Sequence, residues 1–354
     1  MKLHPASMSL ITDTEFNILA QSMSELMLCK DKKESSRLLV PRQSVMCDFK
    51  VLMLSIVERL ADGTFLSNRR DCVTYFGAPV IVIAKLWELI QENNEKESEE
   101  VRHCLENKEC LLWAMHFMKN RPNITAMCKT MKKENKKCCT EKTMRKWMWT
   151  FLDELESLQD MVIVWENRHT NDSGADDLVT VDTTDCPFQQ ILVPNPNKKG
   201  KKMINKSLYS YKINGPALRY EIGLAKNSSD IVHVNGPFPP GDWNDLSIFR
   251  QNLIHKLDVG EKVEADDIYV GEAPAYVNCP ASCTTKEKEL DAMKRAEGRH
   301  EALSKHIKHW KCLSEFSCKG TPVEKMEKHN ALFRACAVVK QASMELGVGD
   351  LCKL

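Results

Sequence analysis

The sequence predicts an α/β protein in which an α-helical half precedes a mixed β-sheet flanked by helices. Two observations carry this prediction. Apolar residues recur at helical spacing up to about residue 158, whereas β-branched runs and turn-rich connectors begin near residue 160. The 354 residues, 43% apolar and 28% charged, are enough for a buried core. We therefore expect an arm at 1–45, a helical domain at 46–158 and an α/β domain at 159–354.

Several segments of the helical half have an apolar face at helical spacing. Gly77 and Pro79 separate two of them, because Gly tolerates a turn and Pro opens a helix without losing a hydrogen bond. This pair resembles a helix-turn-helix unit, with a plain helical hairpin as the alternative. Thr140 is suited to cap the last helix. The predicted core residues of that helix are Trp147, Phe151, Leu155 and Leu158.

The second half alternates strand and helix patterns. We expect a strand LVTVD that ends at Asp182, followed by a loop NPNKKGKKMINKS. Strands ALRYEIGLA and DIVHVNG flank Lys226–Ser229, as in a hairpin. A helix, the strand EKVEAD and two long helices complete the predicted order.

Three acidic residues of this half are candidate metal ligands. Asp182 and Asp266 follow predicted strands, and Glu301 lies on the first of the two long helices. Buried carboxylates repel one another unless a cation compensates them, and oxygen ligands suit Mg²⁺ or Mn²⁺. Two such ions cut a phosphodiester. We assign the bridging role to Asp182, with Asp266 and Glu301 flanking it; for any single acid, a turn or cap role is the alternative.

Basic residues cluster late in the helical half and are candidates for binding DNA phosphates. Lys308 is a further candidate, because it lies two helical turns beyond Glu301 on the same face. A solvated loop and an exposed lysine are the alternatives. The candidates in the cluster are Lys132, Lys133, Lys136, Lys137, Arg145 and Lys146.

Bulk properties argue against other classes of protein. The net charge of +1 identifies no partner, and no window approaches the roughly 18 apolar residues of a membrane span. The first residues do not resemble a secretory signal, so we expect the 15 cysteines to be free thiols. The pairs Cys279/Cys283 and Cys312/Cys318 lack the CxxC spacing of a zinc knuckle. No HExxH helix supports a metallohydrolase of another type.

Six ordered blocks resemble the signature blocks of DDE transposases, most closely the eukaryotic superfamily-endonuclease branch related to PIF/Harbinger elements. A weaker likeness extends across the helical half. The six blocks are VDTTDCPFQQ, YKINGPALRYEIGLA, DIVHVNGPFPPGDWNDLSIFR, KVEADDIYVGEAP, RHEALSKHIKHWKCL and FRACAVVKQASMELG.

The resemblance implies an RNase H-like catalytic domain at 159–354, two Mg²⁺ or Mn²⁺ ions and a DNA-binding role for 46–158. It implies Asp182, Asp266 and Glu301 as the catalytic and metal-binding acids. Asp245 is the alternative second acid and Glu297 competes with Glu301, while Ile268 replaces the glycine usual in its block.

The implied function is cutting and joining of double-stranded DNA at element ends and targets, in the nucleus and away from membranes. A homo-oligomer and a separate DNA-binding helper protein are partners that the resemblance allows. A domesticated DNA-binding protein that no longer cuts is the competing function.

Overall fold

The computed structural model describes residues 38–60, 69–94, 107–130, 140–170, 177–194, 200–228, 230–282 and 287–348. Most of the predicted arm therefore lies outside the described residues. The helices, in chain order, are α1 (Gln43–Leu60), α2 (Arg69–Phe76), α3 (Val80–Asn93), α4 (Lys108–Asn120), α5 (Ile124–Thr130), α6 (Glu141–Ser157), α7 (Gln159–Val162), α8 (Asp245–Gln251), α9 (Glu287–Lys308), α10 (Lys311–Ser314) and α11 (Pro322–Glu345).

The strands belong to one mixed sheet and one separate hairpin. In the mixed sheet, β1 pairs antiparallel with β5 and parallel with β7, β5 pairs antiparallel with β4 and β6, and β7 pairs parallel with β8. The α/β class with a mixed sheet is confirmed. The strands are β1 (Asp177–Pro187), β2 (Leu192–Pro194), β3 (Lys202–Ile204), β4 (Tyr209–Ser210), β5 (Gly215–Ala225), β6 (Ile231–Phe238), β7 (Lys262–Glu264) and β8 (Val277–Asn278).

The helical half follows the sequence pattern closely. Gly77 has φ +77°, and a Cβ on it would lie 2.2 Å from the ring of Trp310, so this turn needs glycine for both conformation and space. Thr140 caps α6 by accepting a hydrogen bond from the Thr143 N–H at 3.1 Å. Phe151 and Leu155 are fully buried on that helix, as predicted.

Two predictions about the sheet are wrong. Strand β1 continues to Pro187, so Asp182 lies within the strand rather than at its end. The reason is its long pairing with β5, which reaches from Val179↔Ala225 to Pro187↔Ala217. The predicted lysine-rich loop also contains β3, which pairs with β2 as a hairpin.

One apolar cluster spans both halves of the chain. It contains Phe49 and Trp87 from the helices together with Leu218 and Ile222 from the sheet. Helix α11 packs against α3, α6 and β6, which places it between the helical layer and the sheet. A smaller cluster around Phe249 and others covers the opposite side of the sheet. The boundary drawn at 158/159 stays a prediction.

Helix α11 begins with a complete capping box. The Thr321 side chain accepts a hydrogen bond from the Glu324 N–H, and the Glu324 carboxylate accepts one from the Thr321 N–H. Among the described residues, no helix is long and apolar enough to cross a membrane.

A buried aromatic group attaches α11 to the sheet. The rings of Tyr220 and Phe333 stack with centroids 3.7 Å apart, and the Tyr220 hydroxyl lies 2.8 Å from His329 Nδ1. His329 Nε2 lies 3.3 Å from the carbonyl oxygen of Pro187, which fits a neutral ring that donates through Nε2 and accepts at Nδ1. Burial lowers the pKa of His329 to about 3, against the raising effect of the Pro187 carbonyl.

We expect His329 to make the protein less stable as the pH falls. Its folded pKa of about 3 lies below the ordinary 6.5, so below pH 6.5 the unfolded chain binds a proton that the folded protein refuses. His329→Gln should flatten the fall in unfolding free energy between pH 6 and pH 4 by about 1 kcal/mol per pH unit. Urea unfolding across this range measures it. His255→Gln, at an exposed position, is the control; equal slopes for the two variants would contradict the prediction.

Candidate active site

Strand β1 carries three aspartates, Asp177, Asp182 and Asp185, and the first to consider is the fully paired Asp185. Asp185 is 1% exposed and lies directly opposite Arg219 of β5. Arg219 donates from Nε to Oδ1 at 2.7 Å and from Nη2 to Oδ2 at 2.9 Å. The Ser210 hydroxyl donates to Oδ2 at 2.6 Å. Burial alone would raise the pKa of Asp185, but the hydrogen bonds from Arg219 and Ser210 outweigh it and the pKa is lowered.

Arg219 also holds the start of helix α8 beside the sheet. Its Nη1 donates to Asp245 Oδ1 at 2.6 Å and to the Trp243 carbonyl at 3.2 Å. Asn244 caps α8 by accepting from the Ser247 N–H at 2.8 Å. Gly236 of β6 lies close by, since a Cβ on it would be 3.0 Å from the Arg219 carbonyl oxygen. These contacts fix the Asp245 carboxylate next to β1 and β5.

Asp182 is mostly buried, and among the described residues no basic side chain is hydrogen-bonded to its carboxylate. It accepts a hydrogen bond from the Thr183 N–H at 2.6 Å. Its pKa is raised to about 6, chiefly by burial; Asp266 and Asp245 contribute to the rise, whereas Lys212 and the Thr183 N–H oppose it. Asp182 thus differs from Asp185, whose charge is compensated by Arg219.

Asp266 lies two residues beyond β7 at the surface. It begins a short 3₁₀ helix, Asp267–Glu272, by accepting from the Ile268 N–H at 3.1 Å. Partial burial raises its pKa, the Ile268 N–H lowers it, and Asp245, Asp267 and Glu297 raise it. Asp182, Asp245, Asp266 and Glu297 therefore form one repulsive group of acids, which we call the carboxylate site.

A buried tyrosine lies beneath the carboxylate site. Tyr269 is fully buried, and its hydroxyl has no hydrogen-bond partner within the described part of the chain. Burial raises its pKa well above the ordinary value, and Glu221, Asp245, Asp182 and Asp266 add to the rise. Glu221 Oε1 is buried without a partner as well. Two buried polar atoms near the carboxylate site, the Tyr269 hydroxyl and Glu221 Oε1, therefore have no hydrogen-bond partner among the described residues.

Helix α9 contributes one of its two candidate acids to this group. His300 Nε2 lies 2.9 Å from Thr180 Oγ1, and this contact fixes how the helix faces β1. Glu297 raises the pKa of Asp266. Glu301 instead has a 65% exposed side chain, with Oε2 3.5 Å from Lys305 Nζ. Such an exposed ion pair is worth little, so Glu301 is free to turn, and its role as a ligand stays a prediction.

The predicted basic residues lie in several places. Lys132, Lys133, Lys136 and Lys137 lie outside the described residues. Arg145 and Lys146 are exposed on α6, where Arg145 Nη2 is 3.7 Å from Glu141 Oε2 and Lys146 Nζ is 5.0 Å from the ring centroid of Trp147. Lys308 acts on buried Cys186, whose pKa burial raises to about 12 and Lys308 lowers.

Lys212 and Arg219 are the basic residues that the sequence prediction missed. Both belong to the block YKINGPALRYEIGLA, whose basic residues the search for lysine-rich runs passed over. For Arg219 the available signal was its position opposite Asp185, which becomes visible once the register of β1 and β5 is known; Lys212 lies in the turn before β5 and has no partner in that register.

Cysteine chemistry does not supply a second site. Cys186, Cys279, Cys312, Cys318 and Cys336 are free thiols, as expected. Cys312 and Cys336 are buried, with their sulfurs 3.9 Å apart. Cys283, the fourth member of the grouping considered for zinc, is not among the described residues.

The carboxylate site fits a divalent metal in its donors but not yet in its spacing. Among the described residues, no three His, Cys, Asp or Glu side chains are grouped closely enough to hold a metal ion. The donors themselves are hard oxygens, and the pKa of Asp182 is raised chiefly by burial, with a smaller contribution from its acidic neighbours. Asp182 and Asp266 would hold the ion, completed by an acid from α9.

No protein-family model, curated protein or solved structure matches this chain.

Removing Arg219 should destabilise the protein strongly, because it would leave the Asp185 carboxylate buried and unpaired. We expect Arg219→Ala to lower the unfolding free energy by about 3–5 kcal/mol. Arg250→Ala, which breaks the exposed pair with Glu272, should cost about 1 kcal/mol or less. Chemical denaturation of both variants measures this, and similar losses would show that the Asp185 pair is not special.

Two substitutions should shift the pKa of Asp182 in opposite directions. Asp266→Asn removes a repulsive charge and should lower that pKa, whereas Lys212→Gln removes an attractive one and should raise it. Carboxyl-carbon NMR titration of the metal-free protein measures both. Lys311→Gln, at an exposed position on α10, should leave the pKa of Asp182 unchanged. Shifts of the same sign would contradict the described arrangement.

Proposed function

We propose that this protein is a metal-dependent DNA endonuclease of the DDE transposase type that cuts and joins DNA at element ends. The observation that carries the proposal is Asp182, a mostly buried carboxylate whose pKa is raised to about 6 by burial and, to a smaller extent, by the neighbouring acids Asp266 and Asp245. Such an arrangement is costly for folding unless a cation is bound in the working state.

The sheet supports an RNase H-like domain. Strand β1 is central, an antiparallel pair β5–β6 lies on one side, and the parallel strands β7 and β8 lie on the other. This arrangement resembles RNase H-like domains, in which acids on the first strand and after the fourth come together. Here these positions are Asp182 and Asp266, since β7 is the fourth strand of that set.

The residues have separate tasks in the proposed reaction. Bound Mg²⁺ or Mn²⁺ ions would supply an activated nucleophile and stabilise the leaving oxygen. Asp182, Asp266 and an acid of α9 would hold these ions next to the scissile phosphate. Arg219 keeps Asp245 and Asp185 in place, and Lys212 places a cation where a phosphate approaches. The protein thus contributes position and charge rather than a covalent intermediate.

The proposed partner is double-stranded DNA, and the proposed setting is the nucleus. Residues 46–158 would bind DNA, with Arg145 and Lys146 exposed for phosphate contacts. A homo-oligomer and a DNA-binding helper protein are further proposed partners. No long apolar helix among the described ones argues for a membrane.

A domesticated DNA-binding protein that no longer cuts is the second candidate. The orientation of Glu301 toward Lys305 favours it, as does the absence of a three-acid metal group within the described segments. The two candidates differ in one measurement, which is metal-dependent nicking.

We expect Asp182→Asn and Asp266→Asn to reduce Mg²⁺- or Mn²⁺-dependent nicking of supercoiled plasmid by at least about 100-fold, because each removes a charge that the cation needs. DNA binding in a gel-shift should persist. Asp242→Asn, at an exposed position nearby, should cut normally. Full nicking by Asp182→Asn would remove it from the site, and no nicking by the unaltered protein would favour the domesticated form.

The same assay identifies the acid of α9. If the electrostatic contact with Asp266 marks the ligand, Glu297→Gln should be inactive and Glu301→Gln active. The resemblance predicts the reverse, with Glu301 turning away from Lys305. Because the two acids are one helical turn apart, each variant is the matched control of the other.

A further inference from the structure

The turn between β4 and β5, residues 211–214, presents an aromatic ring to solvent. Tyr211 is 91% exposed at its tip. The ring of Tyr209 meets it edge to face, with centroids 5.2 Å apart. Single exposed apolar residues are common, so exposure by itself indicates no ligand. Two further features distinguish this turn: the hydrogen bonds that hold it in place, and the exposed lysines close to it in the sequence.

The turn is fixed from within and from the sheet. The Ser210 hydroxyl donates to Asp185 at 2.6 Å and accepts from the Ile213 N–H at 3.2 Å. The Tyr209 hydroxyl bonds to Asn214 Oδ1, and Asn214 has the left-handed φ of 56° that asparagine tolerates. The position of Tyr211 is therefore tied through Ser210 and Asp185 to Arg219, which also holds Asp245 of the carboxylate site.

Exposed lysines lie close to Tyr211 along the chain. Lys212 is exposed and lowers the pKa of both Asp182 and Asp185, so its ammonium lies within electrostatic range of both. Asp242 is an exposed acid near the preceding segment, whose backbone bonds to Gly241. Exposed lysines on the approach to the turn are Lys201, Lys202 and Lys206.

We propose that Tyr211 stacks on an unpaired DNA base and that Lys212 binds the adjoining phosphate, which places that strand at the carboxylate site. The choice of DNA rests on the proposed function. An aromatic ring binds the face of any base, and a neighbouring cation follows the backbone. Bases inside a duplex offer no free face, so the turn selects DNA with an opened or extruded nucleotide.

The ligand is thus a locally unpaired strand. An acidic peptide would use the lysines without requiring the ring, so loss of the ring distinguishes the two. Tyr276 is a matched aromatic control, because it is 42% exposed and directly precedes β8, at the opposite end of the sheet from β4. Lys311 is the matched lysine control, exposed on α10.

The experiment measures binding to two oligonucleotide duplexes in EDTA, one fully paired and one with a single bulged 2-aminopurine. The unaltered protein should bind the bulged duplex more tightly and quench its fluorescence by stacking. Tyr211→Ala should bind that duplex about 10-fold or more weakly and lose the quenching. Tyr211→Phe, which keeps the ring, and Tyr276→Ala should behave like the unaltered protein.

Lys212→Gln should lower the slope of log K against log salt by about 1, as expected for one phosphate contact, while Lys311→Gln leaves the slope unchanged. Equal binding of the two duplexes by the unaltered protein, or unchanged quenching by Tyr211→Ala, would overturn the proposal. Plasmid nicking with Mg²⁺ is measured in parallel. If the protein nicks plasmid but binds both duplexes equally, this inference is wrong and the proposed cleavage is unaffected. If it prefers the bulged duplex but does not nick plasmid, the proposed cleavage is wrong and this inference is unaffected.

Discussion

Strand β1 buries two negative charges and compensates them unequally. Asp185 receives two hydrogen bonds from Arg219 and one from Ser210, and its pKa is lowered. Asp182, three residues earlier, has a backbone N–H and a distant lysine, and its pKa rises to about 6. The Arg219 pair fixes strand β5, the start of α8 and the β4–β5 turn, whereas among the described residues no basic side chain pairs with Asp182 in this way.

Local patterns predicted the elements that local forces determine. The turn at Gly77, the cap at Thr140, the β5–β6 hairpin and the long helices each depend on residues close in sequence. The extent of β1 was not predictable in this way, because its last residues are held by pairing with β5 rather than by their own propensity. The short β2–β3 hairpin was not predicted either, because the lysine-rich sequence before and within β3 is typical of a loop and the strand forms only by pairing with β2.

The candidate site divides along the same line. Asp266 was found because acids often follow strands, and it does follow β7. The Asp185–Arg219 pair was missed because its partners are neighbours only in the register of two strands. Whether Glu297 or Glu301 faces the other acids depends on the rotation of α9, which the His300–Thr180 contact fixes. No periodicity in one helix contains that information.

The position of helix α11 has a consequence for how the protein is made. Its buried face covers α3, α6 and β6, yet it is synthesised after all of them. Until it emerges from the ribosome, the apolar surfaces of those elements have no cover, although much of the chain is already outside. The part of the core that joins the two halves can therefore close only after α11 has been made. Until then, the exposed apolar surfaces favour binding by chaperones.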